Sequence, residues 1–199
     1  MLLIWTHTTS YFSTSFFFNL YLIHMKILIF FNALFGFFTV VSFFCSLLFV
    51  FLIFTRHKRQ TAEEMKSYSL YFASSVAIFS TIGSLIYSEI IGFIPCDFCW
   101  YQRYIMYPLS IFLIYVSVTK SFVRVSTSLA GSGALISLRH IYLQNGVGQK
   151  GSCSVGVPCS LKYVDIFNFI SIPLMALTAF ITIFLSLLYY ELSNKVDNE

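Results

Sequence analysis

Charge is scarce in this chain. Only 10% of its 199 residues are Asp, Glu, Lys or Arg, where a soluble domain carries about 25%. So few charges do not cover a globular surface of this size, and they cluster, leaving long neutral runs. That excludes an ordinary soluble domain with a large core and points to an integral membrane protein. The net charge of +4 then bears on topology, and no nucleic-acid partner is expected. A second lack lies at the N-terminus. Residues 1–24 hold no Lys or Arg, so they lack the basic start of a secretory signal. A third lack follows the cysteine pair C-D-F-C at 96–99. Position 100 is Trp, whereas covalent haem attachment needs CxxCH.

What is present is hydrophobic, at 58%, and aromatic, at 20%. The charge-free runs are 27–55, 67–88, 104–119, 125–138 and 166–190. A spanning helix needs about 20 apolar residues. The first, second and fifth runs suffice alone. The third suffices if Trp100 and Tyr101 form its interfacial end, and the fourth if Arg139 snorkels to the headgroups. The fourth, V-S-T-S-L-A-G-S-G-A-L-I-S-L, is rich in the small residues that let membrane helices pack closely. It is expected to be the helix most enclosed by the others. The expected fold is all-α, a polytopic membrane helix bundle. Residues 1–26 are expected as an N-terminal tail, 27–55 as a first transmembrane helix and 56–67 as a basic linker. Four further helices lie at about 68–90, 100–119, 122–143 and 166–190, with a tail at 193–199.

Orientation follows from the basic residues. Arg56, Lys58, Arg59, Lys66, Lys120, Arg124 and Lys195 fall on one face of such a bundle. Lys26, Arg103, Arg139, Lys150 and Lys162 fall on the other. The tight R-H-K-R cluster weighs most and is expected in the cytoplasm. Cys96, Cys99, Cys153 and Cys159 then all lie outside, where disulfides persist. Cys45, alone within the first helix, is expected to be inert packing.

Four external thiols admit several chemistries. CxxC is a common zinc half-site, but Cys153 and Cys159 are five residues apart, wider than the usual two to four between ligands. Two inert staples are also poor value, because short loops give little chain-entropy stabilisation. Tight or exposed disulfides have more oxidising potentials, which suits redox work. Arg103 follows Cys99 by one helical turn, and a guanidinium near a helix N-terminus stabilises a thiolate there. Trp100, Tyr101, Tyr104 and Tyr107, with Arg139 and His140, are suited to a planar lipid-soluble quinone. Aromatics also crowd membrane interfaces for no such reason.

The segments P-C-D-F-C-W-Y-Q-R-Y-I-M-Y-P-L, R-H-I-Y-L-Q, C-S-V-G-V-P-C-S and I-S-I-P together closely resemble the BdbC branch of the DsbB disulfide bond formation family. The resemblance covers roughly residues 68–192 and includes both cysteine pairs at that branch's spacing. It implies a four-helix core, so the helix at 27–55 is an addition to it. It also implies a bacterial plasma-membrane oxidoreductase with redox disulfides Cys96–Cys99 and Cys153–Cys159. A thioredoxin-like extracytoplasmic thiol oxidase (DsbA/BdbD-like) would be reoxidised through Cys153. Electrons would pass to Cys96–Cys99, and Cys99 beside Arg103 would reduce a bound quinone, ubiquinone or menaquinone, with His140 a further quinone contact. No metal is implied. Two alternatives stand beside it. One is a vitamin K epoxide reductase-like enzyme, against which the early position of the CxxC counts. The other is a non-enzymatic membrane protein with a structural zinc or cysteine cluster.

Overall fold

The computed structural model describes the backbone at residues 3–55, 63–146, 158–166 and 170–197. Among the described residues there are five α-helices: α1 (Leu3–Thr55), α2 (Glu63–Leu85), α3 (Asp97–Thr119), α4 (Val123–Gln144) and α5 (Ile172–Asp197). A π-helical turn, Ile86–Ile90, continues α2. The one departure from helix and loop among them is an isolated bridge between Ile166 and Ile170. The chain divides into two compact units, Met1–Leu34 and Phe35–Glu199. The first is the N-terminal part of α1. The second holds the rest of α1 and the bundle.

Three helix starts differ from the sequence expectation. Helix covers residues 3–26, which were expected as a tail. The segment holds no Pro or Gly and no Asp, Glu, Lys or Arg before Lys26, so nothing in it breaks a helix. α3 begins at Asp97, with Cys96 as its N-cap, rather than near residue 100. α5 begins at Ile172 rather than 166. Ile166 and Ile170 exchange both backbone hydrogen bonds, at 3.0 and 2.9 Å, so the chain doubles back there. Pro173 then sits in the first turn of α5, where its missing N–H costs nothing.

Among the described residues three helices are long and apolar enough to cross a membrane: Tyr21–Thr55, Met65–Ile90 and Ile172–Lys195. α3 and α4 have spanning lengths of 23 and 22 residues but are less apolar, in keeping with their weaker sequence runs. Phe37, Phe44 and Phe51 recur every two turns of α1 and are exposed. An aromatic stripe of this kind is stable facing lipid and not water. The protein is a multi-pass membrane protein.

The bundle core follows helical spacing. Leu109, Leu113 and Val116 on α3 meet Ala73 and Ala77 on α2, and Phe180, Ile183 and Leu187 on α5. Small residues on one helix admit large ones from the next. The helix most enclosed is α5, not α4 as expected. From Ile172 to Asn194 no α5 residue is exposed, whereas α4 exposes Leu135 and Leu138. The small residues of α4 serve one face only. A Cβ at Gly133 would lie 2.3 Å from Phe180 Cε1, so Gly133 is the notch that seats Phe180.

That notch is testable. Gly133→Val is expected to destabilise the α4–α5 pair by roughly 1–3 kcal/mol, the usual cost of overpacking. Thermal unfolding of purified protein in detergent would show a lowered Tm, and Phe180→Leu in the same chain should restore part of it. An unchanged Tm for Gly133→Val refutes the notch.

Candidate active site

The site is built where α2 hands over to α3. The π-helical turn ends with Ile91 N–H donating to Ile86 O at 3.0 Å and Phe93 N–H to Tyr87 O at 2.9 Å. Gly92 takes the left-handed backbone at φ 83° that a side chain would resist. The chain then runs extended through Pro95 to Cys96. The Cys96 carbonyl accepts the first bond of α3, from Trp100 N–H at 3.1 Å. This puts Cys96 at the N-cap and Cys99 three residues on, over the same first turn.

The two sulfurs lie 3.1 Å apart as thiols. Cys96 Sγ also lies 3.5 Å from His140 Nε2. Gln102 Nε2 approaches His140 Nδ1 at 3.4 Å. An amide N–H donating to Nδ1 leaves the ring proton on Nε2, facing Cys96. The Cys96 thiol is held far below its ordinary value, at about 4. The hydrogen bond from Cys99 is the largest cause, burial opposes it, and His140 adds a hydrogen bond and a smaller electrostatic pull. Cys99 is pushed up in turn by its hydrogen bond to Cys96, by burial and by the negative charge on Cys96, while Arg103 pulls it down by less. The sequence expectation was a thiolate at Cys99. In the dithiol the thiolate is Cys96, because two sulfurs this close ionise singly and His140 stands beside Cys96.

Arg103 is placed by α2. Its Nε donates to Ser84 Oγ at 3.0 Å and its Nη2 to the Ser84 carbonyl at 3.2 Å. Tyr107 donates its hydroxyl to Ser84 Oγ at 3.3 Å, and the Arg103 guanidinium lies 5.4 Å from the centre of the Trp100 ring. Cys99, Arg103, Gln102 and Tyr107 all line an apolar cavity of about 380 Å³, within the range of small-molecule sites. His140 does not line it. His140 comes from α4, on the Cys96 side of the CxxC, and its Nδ1 is already engaged by Gln102. It is therefore placed as the partner of the Cys96 sulfur rather than as a wall of the cavity.

On that other side is a small pocket lined by Cys96, Cys99, His140, Pro158 and Tyr163, among others. Pro158 precedes Cys159, which is buried and disulfide-bonded. Cys153 lies outside the described residues. The segment after Cys159 is held by stacking: Tyr163 lies on Phe93 at 4.6 Å between ring centres, and Phe93 on Tyr87 at 5.8 Å.

Cys96, Cys99 and His140 offer three soft ligand atoms within 4.8 Å of one another. Among the described residues Cys159 is disulfide-bonded and does not join these three atoms. Sequence reasoning missed Gln102 and Ser84. Gln102 was visible as a lone neutral polar residue among aromatics in W-Y-Q-R-Y. Ser84, nineteen residues from Arg103, gave no signal.

Residues 66–190 match the family of the disulfide bond formation protein DsbB. The chain is 44% identical over 119 residues to the disulfide bond formation protein C of Bacillus subtilis (strain 168), covering 57% of this chain and 86% of that protein. It is 42% identical over 113 residues to a probable disulfide formation protein of Oceanobacillus iheyensis, covering 54% and 78%. A probable disulfide formation protein of Coxiella burnetii is 36% identical over 143 residues, covering 67% and 96%. No solved structure matches.

The thiolate assignment has a direct readout. In the reduced protein the ultraviolet thiolate absorbance is expected to persist on acidification until the pH nears about 4. Cys96→Ala should abolish it. Cys99→Ala should raise its midpoint more than His140→Ala does, since the Cys99 hydrogen bond is the larger cause. A wild-type midpoint near the ordinary 9.0 contradicts the assignment.

Proposed function

The chain belongs to the DsbB family of disulfide bond formation proteins, and from that premise we propose the electron path it serves. It is a membrane disulfide oxidoreductase. The path runs from an extracytoplasmic thioredoxin-like thiol oxidase, through Cys153–Cys159 and then Cys96–Cys99, to a quinone in the membrane. Its result is sustained disulfide formation in exported proteins. The observation that carries this reading is the division of labour at the CxxC. Cys99 lines the apolar cavity with Arg103 and Tyr107. Cys96 is absent from that cavity and meets only the small pocket, which it shares with Cys99, His140 and Pro158, the neighbour of Cys159.

The exchanges balance in pairs. The partner's two thiols become a disulfide, and the Cys153–Cys159 bond opens to two thiols. Attack by that pair on Cys96–Cys99 re-forms the first bond and leaves a CxxC dithiol. Closing Cys96–Cys99 again releases two electrons and two protons, both of which a quinone takes up when bound. The residues suit that acceptor: Arg103 and Tyr107 are donors for a carbonyl oxygen, in an otherwise apolar cavity. His140 favours Cys96 as a thiolate, so Cys96 is a ready leaving group when the second pair re-forms its own bond. When Cys96 is joined to the second pair its negative charge is gone. The pull of Arg103 on Cys99 is then unopposed by it, and Cys99 becomes the sulfur ready to react at the cavity.

Two variants separate the ends of the path. Cys159→Ser is expected to accumulate a covalent adduct at Cys153, isolable by non-reducing electrophoresis and identifiable by mass spectrometry as a thioredoxin-like protein. Arg103→Met should leave that adduct in place while raising the KM for quinone roughly tenfold, the scale of one lost charge-assisted hydrogen bond. No adduct in Cys159→Ser, or full partner reoxidation in Cys99→Ser, sinks the path.

A further inference from the structure

We propose that the C-terminal half of α1, through Phe35 and Phe38, walls the acceptor cavity and grips the apolar tail of its occupant, so that this protein selects quinones by their tail. The inference rests on the quinone reading above and concerns a segment, residues 35–55, that lies outside the family match at 66–190.

The cavity is long. Its lining on α2 runs from Ser84 back to Phe72, twelve residues, or about 18 Å at the helical rise. Its Arg103, Gln102 and Tyr107 stand at one end with Cys99 and Ser84, while further along Thr39, Ser75, Ser80 and Thr178 turn their hydroxyls to their own helix backbones. The other end, near Phe72 and Val41, is largely apolar. A ring alone fills only the reactive end. The remainder has the dimensions and lining of a site for a hydrocarbon chain attached to that ring.

α1 is fastened as a wall and not merely laid against the bundle. The Phe38 ring lies 4.0 Å from that of Phe79, and Phe35 lies 5.3 Å from Tyr87. α2 makes room for it: a Cβ at Gly83 would stand 2.7 Å from Phe35 Cε1. One and two turns beyond Phe38, Thr182 Oγ1 donates to the Ser42 carbonyl at 3.0 Å and the Ser46 and Thr182 hydroxyls are hydrogen-bonded at 2.8 Å. Interhelical hydrogen bonds of this kind fix the register of a membrane helix. Both rings are therefore held at the cavity, between its contents and the lipid.

The test compares a benzoquinone carrying an isoprenoid tail with the same ring lacking one. The full-length protein in lipid nanodiscs is driven by dithiothreitol, with the uncatalysed rate subtracted. Phe38→Ala is expected to raise KM for the tailed quinone roughly tenfold, the scale of one lost aromatic contact, and for the tailless ring less than twofold. Phe38→Leu, which keeps an apolar side chain against Phe79, should give a smaller shift with the same selectivity. It decides the matter should the alanine variant not fold. Equal shifts for both quinones, or none for either variant that folds, overturn the wall. Wild-type protein that reduces neither quinone overturns the acceptor reading itself, a failure distinct from that of the wall.

Discussion

One contact organises the site: the 3.1 Å approach of Cys96 to Cys99 over the first turn of α3. At this separation the two sulfurs share one proton, so their acidities move in opposite directions. Everything around the pair biases which sulfur keeps it. The reversal through Gly92 and Pro95 fixes Cys96 at the N-cap. α4 supplies His140 on one side, and α2 supplies Ser84, which anchors Arg103 on the other. Helix starts and helix packing thus become electrostatics at two sulfur atoms.

The same contact separates two environments. Cys99 borders an apolar cavity suited to a membrane-soluble oxidant, and Cys96 borders the pocket that reaches Pro158 beside Cys159. A relay needs this partition. Cys99 borders both spaces, but Cys96 has no share of the cavity, so exchange at Cys96 is kept apart from the acceptor. The aromatic stack Tyr87–Phe93–Tyr163 holds the segment after Cys159 against this boundary, on the side of Cys96.

Much of this was legible in the sequence, and the exceptions have physical reasons. Charge-free runs located the middle of each α-helix among the described residues, though not the part of α1 over residues 3–26, because the bilayer imposes length and composition together. The two cysteine pairs and Arg103 stood out by spacing. Three readings were less successful. The small residues of α4 indicated close packing but not how many helices would pack, and α5 is the enclosed one. The start of α5 was placed six residues early because a charge-free run does not register the backbone bridge of Ile166 with Ile170. His140 was read toward the quinone because it ends an interfacial helix. Its position against Cys96 depends on the rotation of α4, which Gly133 and Phe180 set from the middle of the bundle. Gln102 went unread for the same reason: its role needs α3 and α4 to face each other.

The location of the thiolate shows how sequence and structure fit together. Read along the chain, Arg103 one turn after Cys99 argues for a Cys99 thiolate. Read in space, the dithiol carries its charge on Cys96, where His140 and the Cys99 proton stabilise it. These belong to different stages. With both thiols free, a second negative charge at Cys99 is opposed by the one on Cys96, and Arg103, shared with Ser84, does not outweigh it. Once Cys96 is bonded elsewhere, that opposition ends and the guanidinium remains. The fixed positions of His140 and Arg103 can therefore serve two ionisations, Cys99 beside Arg103 while Cys96 is bonded to the second pair and Cys96 beside His140 once that bond has broken, with no movement of either side chain required.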